Sequence, residues 1–190
     1  MAINGEIKRL DKAGKEIKKH LTFSPYVIEA IRLLIYTGAR LNEILRLRWE
    51  NVDFENGYLN LSDSKTGAKK IPLSTTALKI LSRLDCMRVK DNDHVFVGKR
   101  IGSHVVNIQK SWGIIRERAG IIARIHDLRH TYASFAVSGA RLGLPMIGKI
   151  LGHTTTMTTA RYAHLADDSL KQASNEIDAH LTAAMNGKVE

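Results

Sequence analysis

The chain has 190 residues, 44% hydrophobic and 25% charged, enough apolar content for one domain with a real core. Lys and Arg total 29 against 19 Asp and Glu, a net charge of +10 that points to a polyanionic partner, nucleic acid or an anionic membrane surface. The lone cysteine, Cys86, excludes an intramolecular disulfide, Met1 to Lys19 is too polar for a secretory signal, and no apolar run approaches the roughly 18 residues that span a bilayer. A soluble cytoplasmic protein with no membrane partner is therefore expected.

Residues 1–20 read as a basic N-terminal arm or linker, with Ile7-Lys8-Arg9-Leu10 as an edge strand or ordered arm. The six cations from Lys8 to Lys19 suit a solvated tail and backbone contact to DNA equally. Residues 21–185 read as one domain. Ser24 caps a helix with Pro25 at its first position, and Val27 to Ile35 is apolar around most of its circumference, as in a core helix. Thr37-Gly38 ends it, and a second helix runs from about Leu41 to Arg48. The period then changes: Tyr58 to Leu61 and Lys70 to Leu73 predict a β-hairpin with a long turn through Ser64-Lys65-Thr66-Gly67. Helices are expected at about 75–84, 104–119, 127–138, 145–151 and 167–184, with Val95-Phe96-Val97 strand-like. The fold class is α+β, mainly helical, with a small antiparallel sheet.

Three clusters can carry chemistry. In Thr37-Gly38-Ala39-Arg40, a guanidinium stands at a helix start, suited to two phosphate oxygens, with Glu43 three residues on to hold it; a surface Arg–Glu pair is the plain alternative. In His126-Asp127-Leu128-Arg129-His130, the 100° helical step puts Leu128, Tyr132 and Phe135 on one face, expected to meet the core. His126, Arg129, His130 and Ala133 then crowd the opposite face, where an anion can approach. The spacing of His126 and His130 also suits a zinc ion, but Arg129 on the same face opposes a metal cation. The third cluster is Leu151-Gly152-His153 followed by Arg161-Tyr162-Ala163-His164. By spacing alone, Tyr162 reads as a core or interface residue.

Together, these segments and the hairpin turn Ser64 to Gly67 resemble the tyrosine recombinases, the phage integrase family, in order and in spacing over roughly residues 22 to 165. The resemblance implies that family's catalytic-domain fold and DNA cleavage and rejoining through a 3′-phosphotyrosine intermediate. It implies that Arg40 and Arg129 grip the scissile phosphate and that Lys65 is the general acid for the leaving 5′-oxygen. His126 and His153 take the hydrogen-bonding or acid/base positions, Tyr162 is the nucleophile, and Glu43 and His130 support the site. No metal, ATP or other cofactor is expected, because the phosphotyrosine keeps the bond energy.

The partner implied is double-stranded DNA, with Lys69, Lys70, Lys99 and Arg100 as candidate phosphate contacts. Self-association as a tetramer on DNA is implied for the full-length protein, in a bacterial or phage-encoded, nucleoid-associated setting. The helical DNA-clamping domain that commonly precedes the catalytic part in this family has no room here. The segment from Asp167 to Met185 reads as an amphipathic helix packing on its own domain or on a neighbouring subunit. Two other functions share these features: relaxation of DNA in the manner of a type IB topoisomerase, and DNA binding without catalysis.

Overall fold

The computed structural model describes residues 5–10, 16–21, 23–62, 67–138, 142–152 and 156–163, with helical pieces at 174–175, 177–179 and 181–182. Lys65, His153 and most of the expected terminal helix lie outside the described residues.

The basic start of the chain is an antiparallel hairpin: β1 (Gly5–Leu10) pairs with β2 (Glu16–Leu21), Gly5 opposite Leu21. Helix α1 (Pro25–Thr37) follows, with Pro25 in its first turn as expected. Ser24 does not cap through its side chain; its carbonyl instead accepts from the Val27 and Ile28 amides. Val27, Ala30, Ile31 and Leu34 form the buried stripe, with Leu33 and Thr37 beside it, while Ile35 turns outward.

Helix α2 (Leu41–Leu45) is shorter than expected. The chain leaves it to pair with a later segment: the Leu47 carbonyl accepts from Val95, Arg48 bridges His94, and the Trp49 amide donates to the Asp93 carbonyl. After a 3-10 turn (Trp49–Asn51), β3 (Val52–Asp53), β4 (Tyr58–Leu61) and β5 (Lys69–Pro72) form an antiparallel sheet in that order. The hairpin matches expectation; the two-residue β3 is too short to show a period in the sequence. Leu59 faces Ile71 across β4 and β5, and both are buried.

Helix α3 (Thr75–Asp85) is capped by the Ser74 hydroxyl, which accepts from the Ala77 amide. Helix α4 (Gln109–Arg118) starts later than expected because His104 bridges Val97 and the Val105 amide donates to the Phe96 carbonyl, which keeps the segment before it extended. Helices α5 (Asp127–Ser138), α6 (Leu144–Leu151) and α7 (Thr156–Ala160) follow.

Two apolar clusters result. The larger gathers α1, α2, β4, β5 and α3 with Phe96, Ile108 and Trp112. The smaller holds Ala133, Ala136 and Val137 from α5, Ile147 and Leu151 from α6, and Tyr162 from the turn after α7. Helix α1 packs against both α3 and α5, so it lies where the two clusters meet.

Candidate active site

The site forms on that seam, starting from the end of α1. Gly38 adopts φ +61, and its amide donates to the Leu34 carbonyl, a left-handed helix end that glycine adopts without strain. A Cβ there would stand 2.6 Å from the Tyr132 ring, so the close approach of α5 also demands glycine. Two residues on, the Arg40 amide donates to Glu43 Oε2 at 2.8 Å and Arg40 Nη1 to Glu43 Oε1 at 3.0 Å. Glu43 holds Arg40 from both ends, and Arg40 Nη2 reaches the Gly152 carbonyl at 3.4 Å.

Arg129 comes from α5 and corrects the expected orientation of that helix. The buried face carries Arg129, Ala133, Ala136 and Val137, whereas Phe135 is 68% exposed. A guanidinium can be buried when its N–H groups are paired. Arg129 is 6% exposed, with Nη1 donating to the Gly38 carbonyl at 2.7 Å and Nη2 to the Leu151 carbonyl at 2.8 Å. Arg40 and Arg129 thus reach adjacent carbonyls, Gly152 and Leu151. Burial, then repulsion from Arg40, push the Arg129 pKa below its ordinary value.

Lys69, expected as a surface phosphate contact, lies inside this group. Its side chain and that of Glu43 are each 8% exposed, with Nζ 2.8 Å from Glu43 Oε2 and 3.3 Å from the Leu151 carbonyl. Its stem passes so close to Gly152 that a Cβ there would lie 2.7 Å from Lys69 Cδ. A strand's period of two carries the clue: Lys69 shares a face with buried Ile71, while Lys70 points outward. Burial acts to raise the Glu43 pKa, but hydrogen bonds from Lys69 and Arg40 outweigh it and hold the carboxyl below its ordinary value. Burial lowers the Lys69 pKa, repulsion from Arg129 and Arg40 adds to that, and Glu43 opposes it. The directions within this pair favour a carboxylate but weaken the ammonium. We read the pair as ionised at neutral pH, because Nζ sits at charge-assisted distance from a carboxylate.

Tyr162 follows α7 and is 6% exposed, and its hydroxyl lies 2.6 Å from His130 Nδ1. The His126 ring meets His130 edge-on, centroids 5.0 Å apart. Burial raises the Tyr162 pKa against opposition from Arg161 and Arg129, so the phenol is protonated at neutral pH. Burial, then His130 and Arg129, lower that of His126. Arg40, Glu43, Arg129, His130 and Tyr162, together with Lys69, therefore converge. Lys70, Lys99 and Arg100 are exposed, with Lys70 Nζ 5.9 Å from the centre of the Tyr58 ring.

Beside the site opens a cleft of about 730 Å³, lined among others by Arg40, Arg46, Arg48, Asn51, Ser62 and His126. Arg46 and Arg48 escaped the sequence reading. The alternation of buried Leu45 and Leu47 with exposed Arg46 and Arg48 is the signal that exposes them.

The sequence model of the Phage integrase family matches residues 5–169. Tyrosine recombinase XerA of Saccharolobus solfataricus is 30% identical over 168 residues, covering 87% of this chain and 55% of its own. The shufflon-specific DNA recombinase of Escherichia coli is 32% identical, with 85% of this chain and 39% of its own covered. The chain spans about half the length of the curated relatives it matches. Among solved structures, XerH site-specific recombinase bound to palindromic difH substrate superposes with a TM-score of 0.66 at 25% identity, over 81% of this chain and 47% of that one. The catalytic domain of bacteriophage HP1 integrase gives 0.56 at 23% identity, over 80% and 88%, a likeness of fold.

Proposed function

This chain belongs to the phage integrase family, the tyrosine recombinases, and from that premise we propose that it cuts and rejoins DNA at specific sites through a covalent link to Tyr162. One observation carries the reading. Residues far apart in sequence bring two guanidiniums and a buried tyrosine into one group, Arg40 and Arg129 through adjacent carbonyls and Tyr162 through His130.

In this reading, Arg40 and Arg129 bind the two non-bridging oxygens of the scissile phosphate and balance the charge that grows as the phosphorus becomes five-coordinate. The carbonyls and Glu43 hold the guanidiniums in place before DNA arrives, so little reorganisation is needed at the moment of reaction. Phenols ionise near pH 10, and the surrounding cations stabilise the phenolate as its oxygen attacks. Lys65 donates a proton to the leaving 5′-oxygen; it precedes Lys69, a member of the group, by four positions in sequence. His126, at the cleft, and His153, next to Gly152, take the hydrogen-bonding or acid/base positions. The link to Tyr162 keeps the energy of the broken ester, so rejoining consumes no ATP.

Double-stranded DNA is the partner, entering along the cleft lined by Arg46 and Arg48, with Lys70, Lys99 and Arg100 contacting phosphates beyond it. Residues 21–185 act as one catalytic unit preceded by a basic arm. Exposed Ile177 and Leu181, in the helical pieces near residue 180, support assembly with further copies on DNA. Among the described residues, no helix is long and apolar enough to cross a membrane.

The test is a denaturing gel after incubation with labelled, nicked duplexes of randomised sequence. The wild type yields a slow-migrating adduct, and Tyr162→Phe yields none while still retaining the duplex on a native gel. An adduct surviving in Tyr162→Phe would overturn the assignment.

A further inference from the structure

Tyr162 must lose a proton to become a nucleophile, and the residue is buried. Its hydrogen-bond partner among the described residues is His130 Nδ1, at 2.6 Å, inside the range in which a general base abstracts a proton. His130 stands one residue after Arg129, so one turn of α5 presents the phosphate-binding guanidinium and this imidazole together. His126, the histidine nearest in sequence, packs its ring at right angles against that of His130.

We propose that His130 is the catalytic base of the cleavage step, taking the Tyr162 proton on Nδ1. The inference rests on the strand-cutting reading above. As Oη bonds to phosphorus, its proton passes to His130 Nδ1, the bond from phosphorus to the 5′-oxygen breaks, and that oxygen takes a proton from the general acid. On rejoining, each proton returns: the imidazolium protonates Oη as the phosphotyrosine bond breaks. The resting state requires the neutral tautomer with its proton on Nε2, so that Nδ1 accepts from the phenol. Among the described residues, the charged and titratable groups around the pair are His126, Asp127 and Arg129 on α5, and Arg161 beside Tyr162. Arg129 and Arg161 favour the phenolate that the transfer leaves behind.

Two measurements test this. In the first, the chain with ¹⁵N-labelled histidine is observed by NMR at pH 8 without DNA. Nδ1 of His130 is expected as an unprotonated acceptor whose signal shifts in Tyr162→Phe, and a protonated Nδ1 donating to the phenol oxygen overturns the proposal. In the second, adduct formation on a nicked duplex captured from the randomised pool is followed against pH. His130→Ala and His130→Asn are each expected to slow it by about 10²–10⁴-fold at pH 7. Their rates should climb toward the tyrosine range, where the wild type levels off.

Asn can accept the hydrogen bond but cannot take the proton. Recovery by His130→Asn to near the wild-type rate reduces His130 to a positioning residue and overturns the proposal. If the wild type forms no adduct on any duplex, the strand-cutting reading fails, and the NMR result separately decides the direction of the hydrogen bond.

Discussion

The two apolar clusters are built on different physics. The larger one is mainly aliphatic, with Leu33, Ile44, Leu59, Ile80 and Leu81 almost wholly buried beside Phe96 and Trp112, and burial of apolar area suffices to hold it. The smaller one, around Tyr162, has six buried members and three of them are alanine or valine. Polar links tie it to its neighbour: Arg129 to the Gly38 carbonyl, Lys69 to the Leu151 carbonyl, Arg40 to the Gly152 carbonyl. Most of the buried apolar residues lie in the first region, and the proposed chemistry lies in the joint with the second. The same hydrogen bonds that dock the last helices also aim the guanidiniums, so docking and preorganisation are one act.

Substitutions can break that division of labour. Leu33→Ala removes buried aliphatic volume from the large cluster and is expected to cost about 2–5 kcal/mol, read from urea unfolding. Its folded fraction should form adduct at the wild-type rate; a slow folded fraction would mean that the clusters do not act separately. Arg129→Lys shortens the fork and cannot reach both carbonyls. Adduct formation is expected to fall by about 10²–10³-fold, with a smaller loss of stability. Near-normal cleavage would show that the carbonyl bonds do not aim this side chain.

Gly38→Ala strikes the joint itself, through positive φ and contact with the Tyr132 ring. An expected cost of about 1–3 kcal/mol should be accompanied by slower cleavage. Glu43→Gln probes the ion pair at the same joint. Because the folded carboxyl is held below its ordinary value, its contribution is full above the unfolded pKa of about 4.3 and is lost as pH falls through the folded value. Thermal melts should therefore show Glu43→Gln less stable than wild type at pH 7, with the gap closing on acidification. A constant gap would remove the charge from the explanation. The smallest effect is expected of Lys99→Ala: stability unchanged, and the slope of log affinity against log salt reduced by about 0.9 if Lys99 contacts one phosphate.

Much of the fold could be read from local sequence, because caps, turns and periodicity act within a few residues. Pro25, Gly38 and the alternation of β4 mark their elements correctly, and the motifs single out Arg40, Arg129 and Tyr162 without any geometry. Where expectation and structure part, long-range pairing is the cause. Leu47 meets Val95 and Val105 meets Phe96, and those bonds cut α2 short and delayed α4. Helix α5 is the sharpest case. A hydrophobic pattern counts side chains without their partners, so it turned Phe135 inward and left Arg129 outside.

The amino-acid sequence by itself determined the family, the order of the elements and which side chain types could do the chemistry, since each depends on short stretches of chain. Only the tertiary structure decided that Arg129 and Lys69 are buried and that Tyr162 Oη faces His130 Nδ1. A charge can leave water only when its partners are already in place, and here those partners are supplied by carbonyls and side chains from distant parts of the chain.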